Sequence, residues 1–394
     1  MALARGTGEE MIATTSPTSR LTDAFDRHER ALTVGVEEEL LLLDPSTHDL
    51  APHAAALVRA AADVAVRTEL PAAQVELVGP VCADAAAVQR ALLDARRRLR
   101  EVAAGRVRLA GAGTHPTAPA EGPISPGDRF ARISREYQWA ARRGLAWGLH
   151  VHVAVPGAAR ALAVHDALRE WLPLLAAMAG NAPFHEGRDT GLHSVRPKLA
   201  EGFPRQGVPP AWGSWEAYAA FLRFTGGPDA DPHETARELW WEVRLHPVHG
   251  TLEVRVCDQP ATAAEAASLT AVVQALCGTL AARHDAGELP PPAARERIEE
   301  NRWRALRHGL DAVLLPFSGR EGAGERCARE LAAELLAEVA PVARACDGAD
   351  ALARAADLLD ATGSERQLAV ARECGVDAVA PWLADRFDAE LDGA

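Results

Sequence analysis

Three consecutive glutamates interrupt an apolar run near the start of the chain, and no other feature constrains the fold as much. The run Thr33–Leu43 reads TVGVEEELLLL and has the composition of a β-strand. Charged side chains are costly to bury unless another group offsets their desolvation. Because side chains alternate across a strand, Glu37 and Glu39 share one face at roughly 6.5–7 Å, while Glu38 points away. Two such carboxylates can each bind one of two neighbouring cations. A solvated strand face is the alternative, which the flanking leucines disfavour.

Three further predicted strands also carry acids or imidazoles. They are Gln74–Val78 with Glu76, Leu145–Val155 with His150 and His152, and Thr251–Cys257 with Glu253 and Arg255. Taken one at a time, these strands have simpler explanations: Glu76 alone indicates little, His150 and His152 can be satisfied core or surface histidines, and Glu253 and Arg255 can form an internal ion pair. Taken together, they predict one sheet face that holds Mg²⁺ and the phosphates of ATP. A zinc hydrolase is the competing interpretation, but the chain has no His-Glu-x-x-His motif.

The order of the predicted elements indicates an α+β fold. Strands and helices interleave without regular βαβ spacing, and from Ala261 onward the sequence is almost wholly helical. We therefore expect a largely antiparallel sheet followed by an all-helical C-terminal part. Residues 1–28 lack periodicity and are predicted to form a mobile tail before a single catalytic domain over 29–394. The irregular segment Gly187–Pro210 is predicted to be a functional loop.

Composition excludes several classes of function. The net charge of −13 argues against nucleic-acid binding, which needs a basic face. The chain has one lysine, Lys198, which follows Pro197, so there is no P-loop. The six cysteines are scattered, which is typical of reduced thiols in a cytoplasmic protein. We see no signal peptide and no apolar run that would span a membrane, and expect a soluble cytoplasmic protein.

Seven stretches in order resemble the glutamate–cysteine ligase type 2 family, in its carboxylate–amine ligase branch. They are Thr33–Asp44 (TVGVEEELLLLD), Gln74–Cys82 (QVELVGPVC), Gly113–Pro116 (GTHP), Gly148–Val155 (GLHVHVAV), Asn181–Arg196 (NAPFHEGRDTGLHSVR), Trp240–Asp258 (WWEVRLHPVHGTLEVRVCD) and Asn301–Asp311 (NRWRALRHGLD). The same motifs resemble those of glutamine synthetase. The resemblance implies a glutamine synthetase-like funnel of antiparallel strands with helices packed outside.

The resemblance also implies an activity and roles for individual residues. The activity is ATP-dependent ligation of a glutamate-like carboxylic acid to an amine through an acyl phosphate, with Mg²⁺ or Mn²⁺, in a homodimer. The implied metal ligands are Glu37, Glu39, Glu76, His150 and Glu253, with Glu37 and Glu39 on different ions. Arg244 and Arg255 are implied to contact phosphate, and Arg196, Arg188 and His152 to contact substrate or support its site.

One loop departs from the family pattern. Where relatives carry Asp-Thr-Gly-Tyr-x-Ser-Tyr-Arg, this chain has Leu192, His193 and Val195 between Gly191 and Arg196. The substrate pocket is therefore expected to differ, and the Gly187–Pro210 segment is a candidate lid. Two alternatives stay open: a guanidino-kinase-like phosphotransferase on the same fold, and a non-catalytic nucleotide-binding homologue.

Overall fold

The computed structural model describes residues 17–63, 65–319, 322 and 324–393. Its strands are β1 Val34–Leu43, β2 Val66–Thr68, β3 Gln74–Val78, β4 Arg108–Ala110, β5 Gly148–Ala154, β6 Phe184–His185, β7 Arg188–Asp189, β8 Val243–His246, β9 Thr251–Asp258, β10 Val313–Leu314 and β11 Arg326–Cys327. Seven of them form one sheet in the order β2-β3-β1-β5-β9-β8, with β4 also paired to β1. All of the pairings in this sheet are antiparallel, as predicted.

Helices surround the sheet and make up most of the chain after it. They are α1 Pro17–Asp26, α2 Ala54–Ala61, α3 Ala85–Ala103, α4 Asp128–Tyr137, α5 Trp139–Arg142, α6 Ala158–Leu168, α7 Leu172–Ala179, α8 Arg196–Ala200, α9 Trp215–Gly226, α10 Pro232–Arg237, α11 Ala263–Ala286, α12 Arg295–His308, α13 Ala328–Ala345, α14 Ala349–Arg354, α15 Asp357–Asp360, α16 Gly363–Cys374 and α17 Val379–Gly393. Only the two-residue strands β10 and β11 interrupt this part of the described chain with strand pairing. The α+β class and the helical C-terminal part are thus confirmed.

Helix α11 lies at the centre of the helical layer. A capping box between Thr262 and Glu265 starts it, and Gly287 in the left-handed region ends it. The helix is long and apolar enough to cross a membrane, but 83% of its most apolar window is buried inside the protein. That burial is the environment of a core helix. Its Gln274 side chain also donates to the carbonyls of Leu32 and Ala83, which ties it to the chain on both sides of β1.

Two predicted elements differ from the structure. The tail over 1–28 is wrong for residues 17–26, because α1 buries Leu21 and Phe25 completely in the main core. Leu21 and Phe25 are four residues apart, the spacing of one helix face. Residues 1–16 lie outside the described part. The apolar stretch over 158–180, whose composition predicts one long helix, is two helices joined by a 3-10 turn at Arg169–Trp171, next to Pro173 in the first turn of α7. The single domain over 29–394 stays a prediction.

Candidate active site

The register of the sheet places the predicted acids and imidazoles on neighbouring strands, opposite one another. Three cross-strand pairs carry the pattern: Glu39 with Glu76, Glu37 with His150, and His152 with Glu253. Directly opposed residues share a face of the sheet and lie within side-chain reach. The four strands β3, β1, β5 and β9 therefore bring these side chains together on one surface, here called the acidic face.

Two groups on the acidic face have the geometry to hold a metal ion. One is Glu37, His152 and Glu253, and the other is Glu37, Glu76 and His150. In each group the ligand atoms lie within 4.8 Å of one another. Glu37 belongs to both groups, so it can bridge two ions. Glu39 belongs to neither, although its carboxylate lies 3.9 Å from the Nε2 of His150.

His152 supplies a direct test of whether a cation fits. Its Nδ1 is 3.0 Å from the hydroxyl of Thr251, and the tautomer that donates there leaves a lone pair on Nε2. That Nε2 is buried and has no hydrogen-bond partner among the described residues; it lies 3.6 Å from a Glu37 oxygen and 3.9 Å from a Glu253 oxygen. An imidazole lone pair aimed between two carboxylates is a donor set for a divalent cation. The prediction gave His152 a substrate or supporting role, whereas the geometry groups it with candidate ligands.

The carboxyl groups at the β1–β3 side of the acidic face repel one another. Burial raises the pKa of Glu39 to about 8, and the charge of Glu69 adds to the shift. Burial, Glu37 and Glu69 likewise raise the pKa of Glu76 well above its ordinary value. Sequence reasoning missed Glu69, which lies in the β2–β3 connection outside any strand pattern. Its only sequence signal is an acid before the Leu70-Pro71 turn.

A β-bulge shapes the centre of the acidic face. Between β5 and β9 the register shifts, so that Arg255 and Val256 together face His150. The Arg255 guanidinium contacts both Glu253 and the Nδ1 of His150, the latter at 3.3 Å. Because a bulge re-aims the strand locally, it brings a cation, an acid and an imidazole to one point.

Two arginines bind the carboxylate of Glu253 in the structure. Arg244 donates to it from Nε at 2.5 Å and from Nη2 at 3.1 Å, and Arg255 donates from Nη1. Burial alone would raise the pKa of Glu253, but Arg244 and Arg255 outweigh it and hold the pKa well below its usual value. Both guanidiniums are partly accessible while Glu253 is fully buried. The internal ion pair and the phosphate-facing role are compatible, because a guanidinium has five donors.

Arg196 is anchored below the acidic face. Its Nε donates to Asp258 at 2.7 Å, and its Nη2 donates to two carbonyls of β9. A Cβ added to Gly148 would lie 3.2 Å from Arg196 Nη1 and 3.3 Å from His150 Nε2. Gly148 therefore leaves the space between the Arg196 guanidinium and the acidic face open. Asp258, buried and also bonded to Ser194, is a positioning residue that the sequence did not reveal.

The predicted loop is held firmly at its middle. His193 is wedged between two glycines: a Cβ on Gly180 would lie 2.1 Å from the ring, and one on Gly309 would lie 2.4 Å from it. Its backbone N–H donates to Leu306, and Ser364 donates to its carbonyl. The loop is therefore fixed at His193, and the segment just before it, residues 187–192, is more exposed.

Arg188 lies in that more exposed segment, in the β6–β7 hairpin. In the described part of the chain it makes no hydrogen bond or ion pair with the other predicted site residues. The structure thus brings together all the predicted residues except Arg188.

Comparisons with known proteins identify the family to which this chain is similar. The model of the glutamate–cysteine ligase family 2 (GCS2) matches residues 33–376. A protein of Rubrobacter xylanophilus named as a glutamate–cysteine ligase 2-3 is 40% identical over 362 residues, covering 90% of this chain and 96% of the relative. One of Mycobacterium bovis, named as a glutamate–cysteine ligase 2, is 33% identical and covers 91% of this chain and 95% of the relative.

Solved structures show the same fold at low identity. A glutamate–cysteine ligase of Francisella tularensis, solved in complex with AMP, superposes with a TM-score of 0.62 at 13% identity, over 92% of this chain and 93% of that one. A bifunctional glutathione synthetase of Pasteurella multocida gives a TM-score of 0.60 at 14% identity, over 95% of this chain and 54% of that one.

Proposed function

We propose, because this chain belongs to the glutamate–cysteine ligase family 2, that its acidic face binds Mg²⁺ or Mn²⁺ and the phosphates of ATP. The protein is an ATP-dependent ligase that joins a carboxylic acid to an amine. The roles of individual residues and the identity of the metal are what we add. The observation that carries the proposal is the pair of ligand groups that share Glu37.

The residues fit a two-ion site. Glu37, His152 and Glu253 would hold one ion, and Glu37, Glu76 and His150 would hold the other. Glu39 and Glu69 lie beside the second group and add negative charge there. Mg²⁺ or Mn²⁺, when bound, would neutralise phosphate charge and lower the cost of keeping these carboxylates ionised.

The two arginines at Glu253 would act on the transferring phosphoryl group. The substrate carboxylate attacks the γ-phosphorus of ATP, which gives an acyl phosphate and ADP. Charge then builds on the phosphoryl oxygens, and donors fixed in a buried setting stabilise it. Arg244 and Arg255 are held in place by Glu253, so their positions cost no reorganisation. The amine attacks the acyl carbon and releases phosphate, giving the amide.

Arg196 is our candidate for binding the acid substrate. Its Nη1 faces the gap above Gly148, and a guanidinium suits bidentate recognition of a carboxylate. The relatives' names suggest glutamate as the acid and cysteine as the amine, and we propose a glutamate-like acid. His193 departs from the family loop and occupies a core position, so the amine pocket is expected to differ. We further propose Arg188 as an outer substrate contact from the hairpin.

The test is a hydroxylamine assay. With ATP, Mg²⁺ and a panel of amino and dicarboxylic acids, the correct acid should give a hydroxamate with one ADP per product. Stoichiometric AMP would instead indicate an adenylate intermediate and contradict the site assignment. A stable phosphorylated product without amide would identify a phosphotransferase, and nucleotide binding without turnover would identify a non-catalytic homologue.

The setting of the enzyme is also proposed. We infer a cytoplasmic protein, consistent with the burial of its long apolar helix α11. A homodimer without nucleic acid is the assembly we propose. Light scattering at micromolar concentration would measure the oligomeric state. The net charge of −13 supports the expectation that the protein does not bind nucleic acid.

A further inference from the structure

Two histidines form a stacked pair at one end of the acidic face. His246 ends β8 and His249 lies in the turn to β9; their ring centroids are 4.3 Å apart and their planes differ by 8°. His246 is buried, whereas His249 is exposed. The ring of His152 lies beside both rings and nearly perpendicular to them, with centroid distances of 5.5 and 6.0 Å. The pair therefore adjoins the group of Glu37, His152 and Glu253 and presents one flat face outward.

The pair is not arranged to bind a metal ion. The backbone N–H of His249 lies 3.2 Å from the Nδ1 of His246 and occupies that nitrogen. The lone pairs of an imidazole lie in the plane of its ring, and two parallel rings cannot direct them at one point. What a stacked pair does offer is an exposed π-face, and such faces bind planar bases.

Helix α1 and the residue His28 after it pack against the turn that carries the pair. Gly250 has φ +65°, and a Cβ there would lie 2.4 Å from the carbonyl oxygen of Ala24 in α1. The ring of His28, just after α1, contacts the carbonyl of His249 at 2.7 Å. Helix α1 thus fixes the turn before any ligand arrives, and a rigid platform loses little entropy on binding.

The stacked histidines and Arg196 lie at opposite ends of the acidic face, with the carboxylates between them. On β5, Gly148 and His152 are four residues apart, which is about 13 Å along a strand. Arg196 lies at the Gly148 end and the stacked histidines lie at the His152 end. With the acid at Arg196 and the phosphates over the carboxylates between them, the remaining part of ATP extends toward the histidines.

We infer that His249, stacked on His246, is the platform for the purine base of ATP. His249 would touch the base, and His246 would position His249. This inference rests on the proposed function, since it takes the direction of ATP from the acid site. It adds a binding residue in a turn where no phosphate or metal role is proposed.

The experiment compares two probes on the whole chain. Binding of Mg-ATP and of Mg-tripolyphosphate, which has the phosphates without the base, is measured by calorimetry for the wild type and for His249→Ala, His249→Tyr and His284→Ala. Base stacking on an aromatic side chain predicts that His249→Ala weakens ATP binding by about tenfold or more and leaves tripolyphosphate binding unchanged. His249→Tyr keeps a stacking ring and should restore ATP binding. His284 is half-buried, lies in the last turn of α11 away from the acidic face and serves as the matched control.

Kinetics and the remaining outcomes complete the test. His249→Ala should raise the KM for ATP by about the same factor while kcat stays within about threefold, because stacking contributes equally before and during reaction. Unchanged ATP affinity in His249→Ala would overturn the inference, as would equal losses for ATP and tripolyphosphate. A wild-type protein that binds neither probe would instead reject the proposed function and the inference together. Thermal unfolding of each variant shows that it is folded.

Discussion

Glu38 and Arg96 form a fully buried ion pair on the opposite side of β1 from the acidic face. Arg96 Nη2 lies 2.6 Å from one Glu38 oxygen and Nε lies 2.9 Å from the other, and neither side chain is exposed. Gln259 donates to Glu38 as well, and its own oxygen accepts the backbone N–H of Glu39. The middle acid of the triplet thus fixes the strand that carries the outer two.

Glu38→Gln should therefore lower stability more than it changes the metal site. Removing one partner of a buried ion pair leaves the other charge uncompensated, at about 3–5 kcal/mol. We expect the low end, about 3 kcal/mol, because Glu390 also contacts Arg96 at 3.2 Å. Urea unfolding measures the loss, and Mn²⁺ titration below the transition should show near-normal affinity. Loss of Mn²⁺ binding in a stably folded variant would contradict this division of roles.

Glu37→Gln should abolish binding of both ions. Glu37 is common to the two ligand groups, whereas Glu76 belongs to one. Glu76→Gln should therefore retain one Mn²⁺ of the two, and it is the matched control. Counting bound Mn²⁺ by electron paramagnetic resonance distinguishes the variants, and two ions in Glu37→Gln would disprove the bridge. Turnover of Glu37→Gln should fall by at least ~10²-fold, as when a clamp on a transferring phosphoryl group is lost.

Metal binding should release a proton at neutral pH. The pKa of Glu39 is raised by burial from its ordinary value of 4.5 to about 8, so the folded metal-free protein holds a proton there that the unfolded chain has lost. Through this group alone, the metal-free protein loses stability as the pH rises from about 4.5 to 8. A cation beside Glu39 displaces the proton, so Mn²⁺ affinity should increase with pH through the same window.

Calorimetry checks this by titrating Mn²⁺ at pH 7 in two buffers with different heats of ionisation. The heat should depend on the buffer in the wild type and less in Glu39→Gln, where Glu76, whose pKa is also raised by burial, still releases a proton. Equal buffer dependence in both proteins would assign the proton to another group.

Gly148→Ala should impair the acid substrate selectively. The new Cβ would lie 3.2 Å from Arg196 Nη1 and 3.3 Å from His150 Nε2, in the gap where we place the substrate carboxylate. The KM for the acid should rise several-fold more than the KM for ATP. Gly202→Ala is the control, since a Cβ there meets only ordinary contacts at 3.4 Å or more. Equal rises in both KM values would place the acid elsewhere.

Arg196→Ala tests the same assignment with a larger change. It should raise the KM for the acid far more than that for ATP, and it also strips Asp258 of its charged partner, which costs stability. Gly148→Ala leaves that ion pair in place. Agreement between the two variants would therefore separate substrate binding from support of the fold.

Hydrogen exchange should find the middle of the loop protected with and without substrates. The amide of His193 donates to Leu306 at 2.7 Å and that of Val195 to Ala182 at 2.9 Å, both within the core. The amide of Glu186, at the exposed tip of the β6–β7 hairpin, should exchange faster. Fast exchange at His193 that slows on adding ATP and acid would restore the idea of a lid over the whole segment.

Strand alternation predicted the acidic face because it depends on local sequence. Glu37 and Glu39 share a face whatever the fold, and β3 has the predicted bounds Gln74–Val78. Contacts between residues that lie far apart in sequence could not be predicted in this way. Nothing near Glu38 points to Arg96, which lies 58 residues away.

Two site residues were missed because they lie where strand alternation does not apply. Glu69 and Asp258 lie at or beyond strand ends, where side-chain direction depends on a turn. The grouping of His152 with Glu37 and Glu253 depends on strand pairing, and the approach of Arg255 to His150 depends on a bulge; both are set by long-range contacts. Helix α1 was missed because Leu21 and Phe25 are the only fully buried apolar residues among its described side chains, 18–26.

The wedge of His193 between Gly180 and Gly309 bears on how such enzymes can be re-engineered. The His193 ring occupies the space that a side chain at Gly180, at the end of α7, or at Gly309, after α12, would need. The three positions therefore depend on one another. A loop transplanted from a relative would carry a different side chain at position 193. Against Gly180 and Gly309 that side chain would leave a cavity or clash. Exchange of this loop therefore requires matched changes in all three segments, and a library of loop variants should include positions 180 and 309.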